Sequence, residues 1–220
     1  MGNFAKIICL AALLGVSACG KSSPSDEAVR AQQGPDGKRV EAGSEEAADC
    51  LIAIWETREK AGDFGGEAER QFDRDHDKAE GGAISCATGS SASQFERTLK
   101  ALRDSAGNSD RAALLAEAGI PLLFIDSKGK VEELTDAKAL EAAFDNVFTK
   151  ATIAKLRTIE LEKMIVVPNK GGFFDLGALW LVVPETGARP RLVTVNDQAA
   201  AEASEVAAAV AAEISQESSE

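Results

Sequence analysis

FFDLGALWLVV, residues 173–183, decides how the second half of the chain is read. Taken alternately, Phe174, Leu176, Ala178, Trp180 and Val182 share one side, and Phe173, Asp175, Gly177, Leu179 and Leu181 share the other. Successive side chains of a strand point to opposite faces, so both faces of this segment are largely apolar. The pattern predicts one central, covered strand, with Gly177 marking a bulge or a close backbone approach. On either side lie two more β-favouring runs, LEKMIVV at 161–167 and RLVTV at 191–195, joined to it by PNKGG and PETGARP. Both connectors suit antiparallel strands, and a three-strand antiparallel finish is expected.

Upstream, PLLFID at 121–126 and VEEL at 131–134 flank Ser127-Lys128-Gly129-Lys130, which predicts a hairpin. Between hairpin and finish, Leu140, Phe144, Val147 and Phe148 form an amphipathic helical stripe that can continue to Leu156. Three helices are expected earlier. One starts at Ser44 and carries Ala47, Leu51, Ile54 and Trp55; a second opens with the capping-box spacing of Ser93 to Glu96 and carries Phe95, Leu99, Leu102 and Ala106; a shorter third is capped by Ser109, carries Leu114 and Leu115 and is closed by Gly119. The segment between the first two, residues 64–91, is polar and Gly-rich and reads mostly as loop. Helices first and strands last make an α+β class with helices packed on one side of a sheet.

This order of elements over residues 93–196 resembles the cystatin-like or NTF2-like cone, and it also resembles uncharacterised proteobacterial lipoproteins that carry similar segments. The resemblance implies a curved antiparallel sheet wrapped round the amphipathic helix, with a pocket at the wide end. Asp175, Arg191 and Trp180 are the residues that would line it.

The amino terminus carries a different signal. Ile7 to Val16 is apolar but shorter than the roughly 20 residues a bilayer span needs, and it suits a secretory leader followed by small residues. The tetrad Val16-Ser17-Ala18-Cys19 resembles a bacterial lipobox. That implies cleavage after residue 18 and diacylglycerol on Cys19, and Gly20 in the next position implies sorting to the outer membrane, periplasmic face. Residues 19–43, rich in Ser, Gly, Pro and charge, read as a disordered tether; residues 44–196 form a single α+β domain; residues 197–220 form an Ala/Glu/Ser-rich tail.

Of four cysteines, Cys9 falls in the leader and Cys19 carries lipid, which leaves Cys50 and Cys86. An even pair in an oxidising compartment predicts one disulfide, and two buried free thiols is the other reading. A net charge of −12 disfavours nucleic acid as a partner.

Chemistry is sparsely marked. The alternating acids of Asp73-Arg74-Asp75-His76-Asp77 begin like a calcium loop, but Lys78 stands where glycine is required and Ile84 where the bidentate glutamate belongs. His76 is the only histidine and there is no tyrosine, so neither a metal site nor a cofactor is expected, and no catalytic residue is assigned. The function expected is non-enzymatic binding, of an envelope protein or a small apolar ligand. The alternative is a periplasmic enzyme built round Asp175, with Arg191 as its partner.

Overall fold

The structure, a computed structural model, describes residues 39–63 and 65–217; the leader, Cys19 and most of the tether lie outside the described residues. Ser44 starts α1 (Glu45–Lys60): its hydroxyl accepts from the Ala47 amide at 3.2 Å, and Glu45 and Glu46 lie in the first turn, where the helix dipole favours acids. Segment 64–91 is not the expected loop. It contains α2 (Gly66–His76) and α3 (Ile84–Thr88). The buried residue of α2 is Asp73, so the inward side of this helix is polar and hydrophobic periodicity is blind to it.

Helix α4 (Ala92–Asn108) follows, with Ser91 at its N-cap and without the expected capping box. Asp73 of α2 supplies the missing acceptor, taking the Ser93 amide at 2.7 Å. After α5 (Arg111–Glu117) come β1 (Ala118–Ile125) and β2 (Val131–Leu134), which pair antiparallel as a hairpin. The amphipathic stretch beyond them is broken into α6 (Ala137–Ala142), α7 (Phe144–Val147) and α8 (Lys150–Leu156). Its break has a local cause: Thr149 turns out of the helix and caps α8 by accepting from the Thr152 amide at 3.2 Å.

The decisive stretch is also divided. β3 (Ile165–Val167) leads to β4 (Gly171–Phe174), and β5 (Leu179–Val182) follows after a tight 3-10 turn, Asp175–Gly177. Asp175, Leu176 and Gly177 all have positive φ, so the chain doubles back and β4 and β5 pair as Phe174↔Leu179 and Phe173↔Trp180. The expected long central strand is therefore a hairpin, and Gly177 belongs to its turn. β6 (Arg191–Asn196) ends the sheet sequence, and α9 (Asp197–Glu217) begins directly after it.

The strand order is β2-β1-β6-β5-β4-β3. β6 lies between β1, to which it runs parallel, and β5, to which it runs antiparallel. The sheet is thus mixed where an antiparallel one was expected. It is also open, with β2 and β3 as separate edges, and it does not curl into a cone. The cystatin-like or NTF2-like expectation is corrected on this point: no sheet wraps the amphipathic segment, which is three short helices. The class stays α+β.

One core joins helices to sheet. Phe95, Leu99, Leu102 and Ala106 of α4 are fully buried in the same cluster as Leu122, Phe174, Leu179, Leu181, Leu192 and Val195 of the strands. Each Phe, Leu or Val among them contributes about 1.5–3 kcal/mol by leaving water. Ala47, Leu51 and Ile54 of α1 are buried too, but outside that cluster.

Candidate functional site

Alternation along β5 sends Leu179 and Leu181 into the core and turns Trp180 and Val182 to the opposite face; in β6 both Leu192 and Val195 enter the core because its register with β5 steps from Trp180↔Thr194 to Leu181↔Leu192, which leaves Val193 as an extra residue on the same face as Arg191. On that face β1 and β6 part company. Their register steps from Ala118↔Leu192 to Leu123↔Thr194, so Gly119 to Leu122 stand opposite Val193 alone. Pro121, preceded by a cis bond, has no amide to give to the ladder. Gly119 allows the remaining close approach: a Cβ there would meet Val193 Cγ1 at 2.8 Å.

The irregularity opens a groove of about 650 Å3 whose walls include Ala118, Ile120, Pro121, Val182 and Val193. Such a volume lies within the usual range of ligand sites, about 300–1,000 Å3. Ile120 remains 46 % exposed at its lip. Arg191 is the one charged residue of the lining, and its Nη1 donates to the Ala116 carbonyl, which fixes the guanidinium at one end.

The three residues expected to share a pocket are separated. Asp175 sits in the β4–β5 turn, exposed and bound to Lys155 Nζ at 2.9 Å. Arg191 pairs with Val182 at the far end of β5, the length of that strand away, about 10 Å at 3.3 Å per residue. Trp180 shares the groove's face but stacks on Phe173, with ring centroids 4.8 Å apart. Arg191 thus stands in a different setting from the cone pocket expected of it, and Gly119, Ile120 and Pro121 were not expected beside it. Their signal was present: a proline inside an apolar strand marks a broken ladder.

Cys50 and Cys86 form a disulfide that ties α1 to α3. Beside this crosslink runs an ionic seam. Arg58, only 4 % exposed, reaches Glu69 at 2.7 Å and Asp63 at 3.2 Å. Trp55 Nε1 donates to Asp73 at 2.8 Å, and Ser93 Oγ donates to Glu69 at 2.8 Å. Burial alone would raise the pKa values of Asp63 and Glu69, but the charge and hydrogen bonds of Arg58 outweigh it and hold both below the usual carboxylate range. Through Arg58, Glu69 and Ser93 the seam ties α1, α2 and α4 together.

Asp73 and Asp77, members of the calcium-like run, are buried caps. Asp77 accepts from both the amide and the hydroxyl of Ser85, at 2.7 and 2.6 Å, and so closes the start of α3. No group of three His, Cys, Asp or Glu side chains suited to a metal occurs among the described residues. Nor, among them, is any helix long and apolar enough to cross a membrane.

No family model, curated protein or solved structure matches the chain. The recognition drawn from residues 93–196 and from the lipobox is corrected accordingly: the open sheet overturns the cone, and no relative supports membership of a lipoprotein family.

Proposed function

We propose that the protein is held at the periplasmic face of the outer membrane through lipid on Cys19, and that its domain works by non-enzymatic binding in the groove between β1 and β6. The groove carries this reading. Its side chains are apolar except for one guanidinium, a composition that holds a ligand or partner and offers no acid or base to a reaction. The leader pattern of residues 1–19 and the Cys50–Cys86 disulfide support an oxidising, exported setting.

The test is photocrosslinking in intact cells. A photoreactive residue in place of Ile120 should trap an envelope component at the groove, while the same residue at Leu176, 60 % exposed but remote from the groove, should not. Equal yields at both positions, or none at 120, overturn the binding role.

A further inference from the structure

Three sites compete for a ligand. A recess lined by Asp126, Glu132, Asp145 and Asp197 gathers acids but offers no group suited to a metal among the described residues. A second recess contains Arg103, bound to the Ile159 carbonyl and to Glu96, and Arg157, which gives Nε to the Ala106 carbonyl, but Glu96, Glu160 and Glu162 line it too and oppose an anion. The β1–β6 groove differs from both because its lining holds one guanidinium and no acid.

We infer that the groove binds a long-chain carboxylate, with the alkyl chain along Ala118, Ile120, Val182 and Val193 and the carboxylate on Arg191. The inference rests on the binding role proposed above and names the ligand class. Arg191 spends Nη1 on the Ala116 carbonyl and has no carboxylate within salt-bridge distance among the described residues, although the chain carries a net charge of −12. Arg189, two residues away, is by contrast neutralised by Glu117 at 2.9 Å. An uncompensated guanidinium at the end of an apolar trough is the complement of an anion at the end of a hydrocarbon, and carboxylate oxygens match its fork geometry.

The walls argue against a peptide in the same place. Each peptide unit brings an amide and a carbonyl that must find partners, and burying them unpaired is costly. The lining side chains present no acceptor and a single donor group, so a peptide would depend on main-chain groups at the step between β1 and β6. An alkyl chain asks for nothing along its length and for a donor only at its head.

Global electrostatics sharpen the test, because an acidic protein attracts cations and repels anions. The probes are dodecanoate, dodecanol, dodecyltrimethylammonium and an apolar tetrapeptide with a free carboxylate, each kept below micelle formation. They are titrated against the full chain carrying Cys19→Ser, which needs no detergent, and the methyl resonances of Ala118, Ile120 and Val193 are followed. Dodecanoate should bind about tenfold more tightly than dodecanol, the increment of one charge-assisted contact. Arg191→Gln should erase that difference and leave dodecanol binding unchanged. Ile120→Glu, at a half-exposed position outside the core cluster, should weaken both.

Equal affinity for acid and alcohol, preference for the ammonium or the peptide, or dodecanoate binding indifferent to Arg191→Gln would overturn the carboxylate while leaving a binding groove. If no probe shifts the groove methyls, the carboxylate is overturned directly, and the photocrosslinking result decides separately whether the groove binds anything else.

Discussion

Asp77 is satisfied by the hydroxyl and the amide of Ser85, and its pKa shows the consequence of its setting: burial raises it, and Asp73 adds to the rise, against the pull of the Ser85 hydrogen bonds. Glu69 and Asp63 shift the other way. The signs separate by pH. As pH climbs from the ordinary carboxylate value toward the raised folded value, the unfolded chain releases the Asp77 proton before the folded one does, so this residue lowers stability through that window. Asp63 and Glu69 contribute stability above their unfolded values and lose it as pH falls toward their depressed folded ones. Asp77→Asn keeps an oxygen for the Ser85 amide and removes the titration. Urea denaturation from about pH 3.5 to 7 should show the variant gaining on the parent protein as pH rises. A difference between the two that is constant across that range would contradict the assignment. The sequence displayed these acids plainly, but it read as an alternating loop. Once the run is helical, Asp73 and Asp77 stand one turn apart and reach the starts of two different helices.

Elements were legible where one face is hydrocarbon. The helices α1 and α4 and the β1–β2 hairpin follow their apolar spacing because burial of that face is what forms them. The helix α2 was not, since Glu69 and Asp73 occupy its inward side. The β4–β5 hairpin was hidden for another reason: Leu176 takes a left-handed conformation that a branched aliphatic side chain seldom adopts, and no local turn signature announces it. The parallel β1–β6 pairing is set by contacts between residues some seventy apart, beyond any window of periodicity. The groove inherits that illegibility, because it exists only where those two strands fail to match.

The helix α1 has its own vulnerability. Its buried apolar residues lie outside the main core cluster, and the crosslink to α3 and the Arg58 seam hold it in place. Closing a loop of 36 residues removes about 4 kcal/mol of unfolded-state entropy in the chain model. In Cys50→Ser/Cys86→Ser, amide exchange over residues 45–60 should accelerate while β1, β5 and β6 keep their protection. Uniform acceleration would mean that α1 opens only together with the sheet.

For the whole molecule, the proposed anchor separates location from fold. Among the described residues, the core cluster and the crosslink include none before residue 44, where the Val40 carbonyl accepts from the Ala83 amide at 2.8 Å. Cys19→Ser should therefore abolish palmitate labelling and release the protein from the membrane fraction, with the melting temperature of the domain unchanged; persistent labelling would remove the anchor. Membrane retention through acyl chains needs no complementary surface charge, and each buried methylene contributes about 0.8 kcal/mol.

The central place of β6 has a consequence in time. A chain made amino end first completes β1 some seventy residues before its parallel partner β6 exists, and β5 too must wait. Until residues 191–196 arrive, the middle of the sheet is a gap with two bare hydrogen-bonding rims, each able to seize a stray segment. Assembly thus closes like a keystone arch, with the last strand made also the one that locks the others and lays down the wall on which Arg191 stands.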